Sequence, residues 1–189
     1  MNLTNLRHTA ASALVLAALT LAGCASTGSD VHQYLLRDSS APLSANEQAS
    51  VAISQLTLPD YLYDDAIVLL LDDQQMHSAR VHRWAEPSPT AIKRYLTQRI
   101  ASRFAQQEEI QPVRLEINID ELIGNVDGDI SLRASYRFKR PDGTQRSGRV
   151  NRQLQQPADG YPGLVAGHAA ILDDLAAMIA NDLSNQIGR

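Results

Sequence analysis

The residue types that could do chemistry are few, and the histidines come first, because a neutral imidazole can accept a proton or bind a metal near pH 7. His32, His77, His82 and His168 are spread along most of the chain. His77 and His82 are five apart, and an odd spacing on a strand sends the two rings to opposite faces, so no shared metal is expected of them. His168 falls on the apolar stripe of an Ala-rich segment and is expected to be a core or boundary histidine. Asn125, Asp127 and Asp129 around Gly128 supply half the oxygens of a calcium loop. Counting twelve from Asn125 gives Tyr136 where such a loop needs a bidentate Glu, and Asn, Asp and Gly are also the residues of tight turns. Asp64-Asp65 and Asp72-Asp73 bracket an apolar run and read as its solvated ends. No Gly-x-Ser-x-Gly elbow is present to raise a serine nucleophile. These residues assign no catalytic group, no metal site and no cofactor.

Charge points instead to recognition. Arg133, Arg137, Lys139, Arg140, Arg146, Arg149 and Arg152 are met within their own stretch by one acid, Asp142. This segment could meet an acidic partner or anionic headgroups. It could equally be the solvated face of a sheet whose cations discourage edge pairing. Arg133, Arg137, Lys139 and Arg149 are the candidate contacts. The whole chain of 189 residues has 17 Lys and Arg against 21 Asp and Glu, a net charge of −4, and so no general attraction to nucleic acid is expected.

The single cysteine excludes an intrachain disulfide and a Cys-rich zinc site. It stands in an informative place. Arg7 precedes an apolar run from Ala10 to Ala22, too short to cross a bilayer but of the length of a signal-peptide core. The run ends in Leu21-Ala22-Gly23-Cys24, which resembles the lipobox of bacterial lipoproteins, where the cysteine is acylated and becomes the new N-terminus. The expected organisation is a signal peptide over 1–23, the lipidated Cys24 with a small, polar tether to residue 30, and one domain over 31–189. Ala25 follows the cysteine where inner-membrane retention signals place Asp, so the resemblance implies the periplasmic face of the outer membrane.

The elements that must position these residues follow from periodicity. Val31–Leu36 and Val51–Leu58 read as strands, and 37–48 as loop. The continuous apolar run Ala66–Leu71 reads as a central strand covered on both faces, with His77–Arg83 beside it. Ser88 is expected to cap a helix, with Pro89 at its first position and Ile92, Tyr95, Leu96, Ile100 and Phe104 on its inner face. Val113–Phe138 alternates strictly, with Ile130, Leu132, Ala134, Tyr136 and Phe138 inward and Arg133, Arg137 and Lys139 outward. Turns at 124–128 and 141–143 make it an antiparallel meander that ends in a polar strand around Val150 and Leu154. A second amphipathic helix follows Gly163. The fold class is α+β: a mixed, largely antiparallel twisted sheet with two helices packed on one face.

Tyr34-Leu35-Leu36, Leu58-Pro59-Asp60-Tyr61-Leu62 leading into Ile67-Val68, Trp84-Ala85-Glu86-Pro87, and Tyr161 with Leu164-Val165-Ala166 occur in an order that resembles the PqiC family of ABC-type transport auxiliary lipoproteins. The resemblance implies a non-catalytic outer-membrane subunit. It would dock an MCE-domain protein that bridges the envelope, in a system moving lipids or other hydrophobic molecules and supporting membrane integrity. The absence of a P-loop and of a membrane span in the sequence agrees with a subunit that is neither ATPase nor permease. Trp84, Tyr61 and Tyr161 are the matched aromatics, each either a packing anchor or a partner contact. A homo-oligomer is compatible with the sequence. Two other readings stay open: a freestanding periplasmic lipid-binding lipoprotein, favoured by a well-formed apolar cavity, and an envelope hydrolase, which lacks a nucleophile–base set.

Overall fold

Strict alternation of apolar and polar residues builds the spine of the molecule. The structure, a computed structural model, describes residues 30–37, 51–104, 113–140 and 143–187; Cys24, the leader and nearly all of the expected loop at 37–48 lie outside them. In chain order the elements are β1 (His32–Tyr34), β2 (Val51–Thr57), a 3-10 turn (Asp60–Leu62), β3 (Ala66–Leu70), β4 (Met76–Trp84), α1 (Ser88–Phe104), β5 (Val113–Asn125), β6 (Asp129–Lys139), β7 (Gln145–Gln155) and α2 (Gly160–Ile187). Strands β5, β6 and β7 form the expected antiparallel meander, with Ile117 opposite Tyr136 and Tyr136 opposite Gly148. Val113, Leu115, Ile117 and Ile119 share the buried face with Ile130, Leu132, Ala134, Tyr136 and Phe138.

The other pairings are less local. Strand β1 is parallel to β4, β3 is antiparallel to β4, and both β2 and β3 run parallel to β5. One edge of β5 belongs to β6. Its other edge is divided: β2 takes Val113 to Asn118, and β3 takes Gly124 and Asn125. The result is one seven-stranded mixed sheet in the order β1-β4-β3-β5-β6-β7, with β2 beside the first half of β5. Ala66, Ile67 and Val68 are consecutive and all buried, the signature of a strand covered on both faces. In β2 the alternation fails after Ile53, because the register shifts between Ile53 and Gln55. The Ser54 hydroxyl donates to the Leu115 carbonyl at 3.1 Å there, Gln55 turns to solvent, and Leu56 becomes the half-buried side chain.

Both helices lie on the buried face. Ala91, Ile92, Tyr95, Leu96 and Ile100 of α1 and Leu164, Ile171, Leu172, Leu175, Ile179 and Leu183 of α2 join the same core as the sheet. By length and composition, the stretch Gly160–Ser184 of α2 could span a membrane, but its apolar stripe is used up against α1, β6 and β7. Arg99 clamps Asp173 through two bonds (Nε–Oδ1 2.5 Å, Nη2–Oδ2 2.8 Å), and the Tyr95 hydroxyl donates to the same carboxylate at 2.9 Å. The Tyr136 hydroxyl donates to Asp182, and burial, followed by that carboxylate, pushes its pKa well up.

One expectation is corrected at the entry to α1. Ser88 is already helical, and the carbonyl of Pro87 accepts from the N–H groups of Thr90 (3.0 Å) and Ala91 (3.1 Å). Pro87 is therefore the cap. Two prolines flanking Ser88 favour this early start, since a fixed φ suits the first helical turn. The Ser88 hydroxyl is left buried without a hydrogen-bond partner.

Candidate functional site

The solvent face of β2, β5, β6 and β7 collects the polar half of each alternating strand. Register sets it out in rows: Ala52, Arg114, Lys139 and Gln145; then Gln55, Glu116, Arg137 and Ser147; then Thr57, Asn118, Ser135 and Arg149. Glu121, Arg133 and Asn151 make a fourth. Small side chains at Ser135, Ser147 and Thr57 leave an open trough of about 850 Å³ along the middle rows. Arg133 Nη2 lies 2.6 Å from Glu121, and Arg137 Nε lies 3.4 Å from Glu116.

The expected single-acid environment of these cations is thereby corrected. Counting acids along 133–152 misses the neighbouring strand, whose Glu116, Asp120 and Glu121 lie opposite or beside the arginines. Five cations (Arg114, Arg133, Arg137, Lys139, Arg149) face three carboxylates, and Asp120 is held by the Asn118 amide at 2.6 Å. Lys139 and Arg149 have no carboxylate within ion-pair distance among the described residues. Arg146 and Arg152 share the parity of Val150 and Leu154 and lie opposite Phe138 and Leu132, on the helix side of β7, although Arg146 also borders the trough. The run of cations is divided between two faces.

The three aromatics lie elsewhere. The Tyr61 hydroxyl accepts the Leu122 N–H at 3.1 Å, and burial raises its pKa, which describes a packing anchor for β5. Trp84 and Tyr161 each pack against a different histidine. Tyr161 stacks on His82 (centroids 3.8 Å, 14°), and Trp84 meets His168 edge-on at 5.9 Å. His82 is also stacked 5.0 Å from His32 and shares a hydrogen bond with the Tyr34 hydroxyl (2.8 Å to Nδ1). This ring column was not expected. It depends on the parallel register His32 to His82 between strands fifty residues apart, a pairing that no local pattern reports. Burial, then His32, lowers the pKa of His82.

The remaining candidates resolve into structure. The Asn125 side chain accepts from the N–H groups of Asp127 (3.0 Å) and Asp129 (2.8 Å), and Gly128 takes φ +85°, a turn built from Asx chemistry. Asp72 accepts from Gln74 and Gln75, and Asp65 pairs with Arg83 at 2.5 Å. Among the described residues no three His, Cys, Asp or Glu side chains converge for a metal. His168 and Ser88 both line a small cavity with Trp84 and Leu172, yet the serine makes no hydrogen bond to the imidazole. That cavity leaves about 10 Å³, room for a single water and far below an acyl chain.

His168 itself yields a prediction. Its Nδ1–H donates to the Leu164 carbonyl at 2.8 Å, and complete burial holds its pKa below the ordinary value of 6.5. The folded state keeps it neutral while the unfolded chain takes up a proton below about pH 6.5. Stability is thus intact above that pH and is lost as pH falls, by up to about 1.4 kcal/mol per pH unit. Urea unfolding at pH 7.5, 6.5 and 5.5 should show the decline, and His168→Leu should flatten it.

Known proteins resemble this one over most of its length. Residues 34–180 match the profile of the family described as ABC-type transport auxiliary lipoprotein component. The intermembrane transport lipoprotein PqiC of Escherichia coli (strain K12) is 23% identical over 179 residues, covering 90% of this chain and 95% of that protein. A crystal structure titled only as an uncharacterized protein superposes with a TM-score of 0.69 at 20% identity, covering 82% of this chain and 99% of the other. Protein XCC0632 from Xanthomonas campestris superposes at 0.55 with 10% identity, over 84% and 96%. These likenesses place the fold.

Proposed function

Because the chain belongs to the ABC-type transport auxiliary lipoprotein family, we propose that it is a non-catalytic, lipid-anchored subunit of an envelope transport system. Acyl chains on Cys24 hold it at the periplasmic face of the outer membrane. Its cationic sheet face docks an MCE-domain protein that bridges towards the inner membrane, so that lipids or other hydrophobic molecules can pass between the two. The observation that carries the reading is the trough, lined by cations beyond what its own carboxylates neutralise and by small polar side chains, on a four-stranded surface. Such a face suits an acidic partner surface, where complementary charge sets association rate and register. The small size of the apolar cavity favours a docking subunit over a freestanding lipid carrier.

The reading is tested by capture of an MCE-domain partner from detergent-solubilised envelopes. Recovery is expected with the native chain. The triple variant Arg137→Glu, Lys139→Glu, Arg149→Glu should bind at least about tenfold more weakly, with the loss concentrated in the association rate and a weaker salt dependence in what binding remains. All three side chains are exposed, so the fold should be unaffected, as a thermal melt would verify. Equal capture by the variant would remove this face as the docking surface.

A further inference from the structure

Two neighbouring turns close one end of the sheet. The Leu71 N–H donates to the Gln75 carbonyl at 2.8 Å and closes the turn between β3 and β4. The Val126 N–H donates to the Leu70 carbonyl at 3.1 Å and ties the turn between β5 and β6 to it. On these turns Leu71, Met76 and Val126 are 41%, 50% and 59% exposed. Large apolar side chains gathered at an exposed tip lose free energy to water unless something covers them.

What covers them is indicated by where the chain comes from. Strand β1 is parallel to β4, and β4 starts at this tip, so Asp30 and Val31, which lead into β1, lie on its tip side. Arg83 lies opposite Ala66 and Met76 opposite Leu70, which sets β1 about four residues of β3, or ~13 Å, from the tip. Cys24 precedes His32 by eight residues, ~26 Å when extended. That reach covers the distance to the tip about twice, whereas the opposite end of the sheet, at Val113, would need all of it. We propose that the pole formed by Leu71, Met76 and Val126 rests on the lipid surface to which Cys24 is anchored, a step that depends on the acylation reading of Cys24. Asp72, Asp73 and Asp127 stand on the same turns without a Lys or Arg. The preferred surface is therefore made of zwitterionic headgroups, since anionic ones would repel this rim.

The test uses the full chain, purified from bacterial membranes after Trp84→Phe removes the sole tryptophan, and reconstituted into phosphatidylcholine vesicles containing brominated acyl chains. With Val126→Trp the indole is expected to be quenched at least about threefold more than with Gln145→Trp, because bromine quenches only an indole that enters the acyl boundary. Adding Leu71→Ser and Met76→Ser, or replacing a third of the lipid by phosphatidylglycerol, should reduce that quenching. A chain that sits in the vesicles but shows equal quenching at the two positions overturns the pole while leaving the anchor intact, and points to a protein partner for the tip. A chain recovered with an unmodified Cys24 thiol by mass spectrometry overturns the acylation reading, and this proposal with it.

Discussion

Replacing Cys24 with serine is expected to move the chain almost entirely from the membrane fraction to the soluble one. Each acyl methylene buried in lipid contributes about 0.8 kcal/mol, so two or more chains lost together lower partitioning by many orders of magnitude. Cys24 precedes every described element, and the thermal melt of the folded part should not change. Fractionation and intact mass decide the matter together. A variant that remains with the membrane, or a native protein whose sulfur is bare, would remove the anchor from the account and leave only the fold-level membership.

The second large effect belongs to stability. Gly163 lies in the first turn of α2, and a Cβ placed there would stand 1.6 Å from the carbonyl oxygen of Ala158 and 2.4 Å from its carbonyl carbon. Those atoms are backbone and cannot rotate aside. Gly163→Ala is expected to cost about 3 kcal/mol or more, through displacement of the segment that leads into α2. Gly143→Ala makes the informative contrast: nothing lies within 4 Å of its Cβ, and only the φ of +87° resists, a penalty of about 1 kcal/mol. Urea unfolding of both variants measures the difference. Similar midpoints would mean that the entry to α2 yields more readily than its close approach implies.

How much could be read in advance depended on whether the signal was local. The β5–β6 hairpin declared itself, because Val113 to Ile119 and Ile130 to Phe138 alternate strictly around an Asn-Val-Asp-Gly turn. The run Ala66–Val68 declared its double burial by lacking polar residues. The parallel partners did not. Nothing within Val51–Thr57 says that it will lie along β5, and the bulge after Ile53 defeats its own period. The ion pairs of the cationic face were half legible: Glu116, Asp120 and Glu121 were visible as the polar side of β5, but only register brings Glu116 to Arg137 and Glu121 to Arg133. The column His32–His82–Tyr161 draws on three separated segments and is a property of topology alone. Ser88 was misread because its residue type suits a cap while its proline neighbours move the cap back by one residue.

The divided edge of β5 has a consequence for how the polypeptide comes together during synthesis. Among the described residues, the only strand that pairs with β2 is β5, and β3 pairs only with β4 until residues 113–125 exist. A growing chain that has reached α1 therefore holds β2 without its strand partner and a three-stranded sheet, β1-β4-β3, whose β3 edge is still bare. Loop closure across some sixty residues between β2 and β5 must wait for the second half, which makes assembly late, slow and concerted. Until then the first half exposes bare strand edges, the kind of surface that favours aggregation.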